Sequence, residues 1–130
     1  GRESVKQGLK LAIDRYIDAR LADPGLSVAT VIERFHLSAR GLHRAFEETG
    51  TSFTQSVLDR RLRRAADLLK DPSRELPVSE VAYRSGFGDL SHFCKTFRRH
   101  YGVSAGQFRR LPDTRMSQVL PADRPNTRPK

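Results

Sequence analysis

The sequence states one pattern twice. Residues 26–52 read LSVATVIERFHLSARGLHRAFEETGTS, and residues 76–104 read LPVSEVAYRSGFGDLSHFCKTFRRHYGVS. Leu26, Val28, Val31 and Arg34 recur as Leu76, Val78, Val81 and Arg84 at an offset of 50. Leu42 and Phe46 recur as Phe93 and Phe97 at 51, and Gly50 and Ser52 recur as Gly102 and Ser104 at 52. The apolar positions inside each copy step by three and four residues, as the buried side of a helix does, and a short turn divides each copy in two. Any fold for this chain must therefore build the same pair of helices twice. One copy of about 50 residues would bury only a marginal core, so the stretch between the copies has to serve both.

The rest of the chain supports an all-helical reading. Val5, Leu9, Ala12, Ile13, Tyr16, Ile17 and Leu21 form one stripe on a helix over 4–22, stopped by Asp23-Pro24-Gly25. Ser27 caps a helix over 28–35, with no polar partner expected at the box position, and Val28, Val31, Ile32 and Phe35 face inward. His36-Leu37 make the turn. Ser38 then caps a helix over 39–49 with Leu42, Ala45 and Phe46 inside, and Gly50 ends it. Ser52 opens a long helix over 53–70 whose apolar side is Phe53, Val57, Leu58, Leu62, Ala65, Leu68 and Leu69. In the second copy Pro77 fits a helix start, Val78, Val81 and Ala82 face inward, and Gly86-Phe87-Gly88 turns the chain. Asp89 caps the next helix, Phe93 and Phe97 face its core, Gly102 ends it, and Ser104 caps a last short helix through Phe108 and Leu111. From Pro112 the chain is polar, proline-containing and without a stripe, so 112–130 reads as a disordered tail. The segments are therefore 1–25, an N-terminal helix and turn; 26–52, a first helix-turn-helix; 53–75, a linker helix; 76–111, a second helix-turn-helix with a last helix; and 112–130, the tail. No strand is required.

Charge and chemistry narrow the function. Lys and Arg number 24 against 15 Asp and Glu, a net charge of +9, which favours a polyanionic partner such as nucleic acid. Cys94 is the only cysteine, so an intrachain disulfide and a cysteine zinc cluster are excluded. It reads as a small, partly buried helix residue without a partner base. The histidines His36, His43, His92 and His100 show no HExxH pairing, and no Walker loop or GxGxxG occurs. No enzyme activity, metal site or cofactor is expected. There is no apolar run of membrane-spanning length and no signal-peptide pattern, which places the chain in the cytoplasm. It opens on Gly1 rather than Met, and a longer parent protein is expected.

In a helix-turn-helix the second helix enters the major groove while the first braces it against the backbone. Packing fixes the inner faces, so the outer faces are free for bases. In the first copy these carry Ala39, Arg40, His43 and Arg44, with Glu47 further along. Arg40 and Arg44 lie one turn apart, and an arginine can fork onto guanine O6 and N7. In the second copy they carry Leu90, Ser91, His92 and Lys95, with Leu90 suited to a thymine methyl group. Arg98 and Arg99, further along, suit phosphates. Ser38, Ser52 and Ser104 start helices whose free N–H groups also suit phosphates. On the middle helix, Arg61 and Arg64 fall near the packed side and Arg61 is expected to bridge structure, whereas Arg60 and Arg63 are expected in solvent.

Val81-Ala82, Gly86-Phe87, Ser91-His92-Phe93, Phe97-Arg98-Arg99, Gly102-Val103-Ser104 and Phe108-Arg109 resemble the signature of the AraC/XylS family of bacterial transcription regulators. Residues 38–46, Gly50, Arg61-Leu62 and Ala65 agree with it, so the resemblance spans about residues 5–111. It implies seven helices, two helix-turn-helix subdomains on a linker helix, and sequence-specific binding to two adjacent major-groove segments of double-stranded DNA on the bacterial nucleoid. The family's base-reading positions fall on Arg40, His43 and Arg44 and on Leu90, Ser91, His92 and Lys95. Two departures stand out: Ala105 occupies a position that is often proline, and Gly41 lies inside the first reading helix, where glycine costs about 1 kcal/mol against alanine. The family's effector-binding, dimerising domain is missing from this sequence, and the full-length protein is expected to dimerise through it; the isolated domain is expected to be a monomer, because its own helices use up its apolar residues. Two other readings compete: a basic helical module for an acidic protein partner such as RNA polymerase, and a nonspecific architectural nucleic-acid binder. The mixture of Arg, His, Ser, Leu and Lys on the outer faces favours base reading over phosphate binding alone.

Overall fold

The computed structural model describes residues 1–112; all but the first residue of the expected tail therefore lies outside the described residues. Seven α-helices follow in order: α1 (Arg2–Ala19), α2 (Val28–Phe35), α3 (Ala39–Phe46), α4 (Phe53–Lys70), α5 (Val78–Arg84), α6 (Leu90–Tyr101) and α7 (Ala105–Arg110). A 3₁₀ turn at Glu47–Thr49 extends α3. Among the described residues there is no strand. The chain divides into two compact units, one over residues 1–61 and one from Leu62 onward, so α4 begins in the first and ends in the second.

The first unit packs α1 and α2 against α3 around Ile13, Ile17, Leu21, Leu26, Val31, Leu42, Ala45, Phe46, Phe53 and Val57. Phe46 meets Phe53 edge to face at 6.0 Å. The stripe expected on α1 is narrower than its spacing suggests. Val5 and Ala12 are exposed, because each projects about 100° away from the line through Ile13 and Ile17. The helix also stops sooner than residue 22: the Arg20 N–H turns back to the Tyr16 and Ile17 carbonyls, and Asp23 accepts from the Gly25 N–H at 2.8 Å. At α2 the cap is stronger than expected. Thr30 completes a capping box, its hydroxyl accepting from the Ser27 N–H at 3.1 Å while the Ser27 hydroxyl accepts from the Thr30 N–H at 3.3 Å.

Two arginines tie α4 to α1 and to the turn that follows it, and one of them corrects the sequence reading. Arg60 is not in solvent. Its guanidinium donates to Asp14 Oδ1 at 2.6 Å, to the Asp14 carbonyl at 3.2 Å and to Asp18 Oδ1 at 3.0 Å, and its Nε donates to Ser56 at 3.2 Å. A long side chain can lie back along its helix and reach a neighbour that its helical phase alone does not point at. Burial alone would lower its pKa, but the bonds to Asp14 and Asp18 outweigh this and leave it raised. Arg61 bridges as expected, donating to the Leu21 and Asp23 carbonyls at 3.0 and 2.8 Å. Its pKa is lowered by burial, with Asp23 opposing. Arg63 is exposed, and so, against expectation, is Arg64, which lies one residue before the fully buried Ala65 and is turned outward.

The second unit closes on Leu62, Ala65, Ala66, Leu69, Val81, Ala82, Phe87, Phe93, Phe97, Ala105 and Phe108. Its core is a run of rings: Phe87 to Phe93 at 5.0 Å, Phe93 to Phe97 at 5.5 Å, Phe97 to Phe108 at 5.3 Å and Phe97 to Tyr101 at 4.7 Å. Lys70 sits over the Phe108 ring and donates to the Arg109 and Leu111 carbonyls, and Arg109 donates to the Leu76 carbonyl. Ser85 is fully buried and its hydroxyl has no partner.

The two copies make the same bond at their turns. The Leu37 N–H donates to the Ile32 carbonyl at 2.9 Å, and the Phe87 N–H to the Ala82 carbonyl at 3.0 Å. The left-handed residue is His36 (φ 56°) in one copy and Gly86 (φ 98°) in the other. Gly88 is the additional residue before the second cap. The second drift arises where the first copy tightens into the 3₁₀ turn while α6 runs on as α-helix, and both end on a left-handed glycine, Gly50 (φ 76°) and Gly102 (φ 83°).

Candidate nucleic-acid interface

The first candidate helix, α3, starts where the Ser38 hydroxyl accepts from the Gly41 N–H at 2.9 Å. Leu42, Ala45 and Phe46 fasten its inner side. What remains outside is Ala39, Arg40, His43, Arg44 and Glu47, all exposed. The residues forecast as base readers are thus gathered on one solvent-facing surface, with the two guanidiniums one turn apart. Gly41 is not demanded by crowding, since a Cβ there would meet Ser38 and Leu37 only at 3.4 Å or more.

The second, α6, starts on Asp89, whose carboxylate accepts from the Ser91 N–H at 2.9 Å. Phe93, Thr96 and Phe97 are buried. Thr96 was not singled out from the sequence; its hydroxyl donates to the His92 carbonyl at 2.6 Å, which lets a polar residue sit inside. Leu90, Ser91, His92, Lys95, Arg98 and Arg99 are exposed. Leu90 leaves 45% of its surface open. The His92 ring leans on Phe87 at 5.9 Å, which restricts it. Cys94 is exposed rather than partly buried: one step of about 100° past Phe93 carries it out of the core and onto the flank of Lys95 and Arg98.

The helix starts expected to meet phosphates differ. The Ser52 hydroxyl, exposed, accepts from the Gln55 N–H at 3.0 Å. At Ser104 both the hydroxyl and the N–H are engaged with Gln107, at 3.1 and 3.0 Å, so its polar groups are committed to the short α7. A further basic group went unrecognised in the sequence. Arg20 and Arg34 lie over the rings of Tyr16 and Phe35 beside the turn that leads into α3. The signals for it were the i, i+4 spacing of Tyr16 and Arg20 and the adjacency of Arg34 and Phe35. Among the described residues no group of three or more His, Cys, Asp or Glu could hold a metal ion, and no helix is long and apolar enough to cross a membrane.

Residues 31–111 match a family model described as a helix-turn-helix domain, the AraC-type one. The chain belongs to the AraC/XylS family. This AraC-type domain is 36% identical over 100 residues to the transcriptional activator RhrA of Rhizobium meliloti, an alignment covering 77% of this chain and 32% of that protein. The domain spans about a third of the length of the curated relatives it matches. Among solved structures it is similar to the C-terminal domain of AraT, a response regulator from Geobacillus stearothermophilus, with a TM-score of 0.73 and 32% identity, covering 78% of this chain and 84% of that one. It shares its fold with the DNA-binding domain of AdpA, a global transcriptional factor solved with a target DNA, at a TM-score of 0.70 and 24% identity, covering 84% of this chain and 94% of that one. The domain is thus an AraC-type DNA-binding module of transcription regulators.

Proposed function

We propose that this domain binds one asymmetric double-stranded DNA site, with α3 and α6 each reading a major-groove segment. The observation that carries this reading is the pair of exposed faces: Arg40, His43 and Arg44 on one helix, Leu90, Ser91, His92 and Lys95 on the other. Both sets sit on helices whose opposite sides are fixed in a core, which is the preorganisation that base reading needs. The chemistries differ, so the half-sites differ. Arg40 and Arg44 fit guanine edges, while Leu90 fits a thymine methyl and Lys95 a purine acceptor. Ser38, Ser52, Arg98 and Arg99 hold phosphates and set register. The parent protein acts as a transcription regulator in the bacterial cytoplasm; its relative RhrA is named an activator.

Selection of bound sequences from a random duplex pool tests the reading. The expected outcome is an enriched, non-palindromic motif in two parts. In that motif Arg44→Ala relaxes preference at one end and Lys95→Ala at the other, each by about 1–3 kcal/mol at the affected base pair. Loss of preference at the same bases in both variants refutes two independent readers, and absence of any enrichment refutes sequence-specific binding altogether.

A further inference from the structure

The two copies treat one arginine in opposite ways. Arg34 and Arg84 occupy the same place, the last turn of the first helix of each helix-turn-helix. Four residues before Arg84 stands Glu80, and the Arg84 Nε donates to its carboxylate at 2.8 Å. Four residues before Arg34 stands Thr30, which is engaged in the α2 cap. Arg34 therefore has no carboxylate one turn before it, neighbouring Glu33 does not pair with it, and among the described residues neither it nor Arg20 forms an ion pair. What holds them is aromatic. The Arg20 guanidinium lies 4.2 Å from the Tyr16 ring centre, and that of Arg34 lies 5.8 Å from Tyr16 and 5.5 Å from Phe35. The two rings meet edge to face at 5.5 Å, with both half-buried and both arginines exposed.

Stacking on a ring uses the face of a guanidinium and leaves its edge N–H donors open. Two such groups sharing one tyrosine repel each other, and an anion between them relieves the repulsion. We infer that Arg20 and Arg34 form a phosphodiester clamp that grips the DNA backbone beside the turn into α3, a contact made by the first unit and cancelled by Glu80 in the second. The inference rests on the reading of the domain as a duplex binder and adds an anchoring site outside both reading helices. Its signature is uniform. A phosphate contact strengthens every sequence alike and contributes about one to the slope of log affinity against log salt.

Fluorescence anisotropy with one selected and one scrambled duplex, at several salt concentrations, tests this. Arg34→Gln is expected to weaken both duplexes alike, by about threefold to tenfold, and to lower the salt slope by about one. Arg20→Gln added to it lowers the slope again, while Arg34→Lys retains the slope but binds less tightly because the stacked plane is gone. Arg84→Gln, and Arg15→Gln as an unstacked charge on the same unit, should change the slope much less. The clamp is overturned if Arg34→Gln matches those two controls, or if it alters base preference with the slope intact. It is also overturned if inorganic phosphate weakens the Arg34→Gln domain's duplex binding as much as that of the unaltered domain and Arg34→Gln leaves the salt slope intact, which would place the anion contact elsewhere. If the unaltered domain binds neither duplex, it is the duplex reading that fails; if it binds both and Arg34→Gln is silent, only the clamp fails. All four arginines are exposed, and unchanged melting of the variants confirms that each is folded.

Discussion

In the first unit α3 packs on α1, a helix that precedes it, as well as on the start of α4, whereas in the second α6 packs on α7, which follows it. The materials differ as well. The first unit uses aliphatic residues such as Ile13, Ile17 and Leu21, and fastens α4 with Arg60 and Arg61. The second uses stacked rings and fastens α4 with Lys70. What the copies share centres on the helix pair: Val31 and Val81, Leu42 and Phe93, Phe46 and Phe97, all at most 2% exposed, the left-handed glycines Gly50 and Gly102, and the caps at Ser52 and Ser104 just beyond. Holding the second helix of each pair thus fixes its inner face and its ends, and leaves open which element supports it.

The largest expected effect separates the two cores. Phe97 touches three rings, Phe93, Tyr101 and Phe108, whereas its counterpart Phe46 touches one, Phe53. Phe97→Ala should cost about 4 kcal/mol of stability in urea unfolding, and Phe46→Ala about 1 kcal/mol less. Equal costs would break the claim that the second unit depends more on its rings. Next comes the polar anchor. Arg60→Ala should cost about 2 kcal/mol, because it strands Asp14 with only Lys10 beside it. Hydrogen exchange should quicken in α1 and the start of α4 and stay unchanged in α6 and α7; quickening in all four would erase the distinction between the units.

A smaller effect tests the turns. His36 bears a left-handed backbone that its counterpart Gly86 adopts freely, so His36→Gly should raise stability by about 1 kcal/mol in thermal unfolding, whereas Gly86→Ala lowers it. A destabilised His36→Gly would mean that the histidine side chain holds the turn. Smallest is Ser85→Ala, which removes a buried hydroxyl that bonds to nothing and should raise the melting temperature by an amount equivalent to about 0.5 kcal/mol. A loss on this change would reveal a partner for that hydroxyl.

Most of the fold was legible because it follows local rules. The caps at Ser38, Ser52, Asp89 and Ser104 and the terminating glycines are short-range, and the buried Val, Leu and Phe positions recur with helical spacing. The exposed faces of α3 and α6 followed by elimination once those inner positions were known. The misreadings share a cause, reach or phase that spacing does not carry. Arg60 finds Asp14 at a separation of 46 residues, which no pattern on its own helix announces. Cys94, Arg64 and Ala12 each neighbour a fully buried residue, yet one helical step suffices to turn them outward. Thr30 was passed over as a box partner because Glu and Gln are the residues usually sought there. The Tyr16–Phe35 contact joins two helices, so the arginines stacked on it could not be grouped from sequence alone.

The opposite placement of the bracing helices has a consequence for synthesis. Everything the first unit packs together lies within the first 61 residues, so it can close while the remainder is still being made. The second cannot: Phe108, which covers Phe97, is among the last described residues to leave the ribosome. For roughly 50 residues of elongation, a few seconds at ordinary rates, a closed first unit leads an unfinished second one whose phenylalanines have no cover. The nascent chain therefore passes through a stage with one unit complete and an exposed aromatic surface following it, the stage at which a chaperone or an early-closing α4 would matter most.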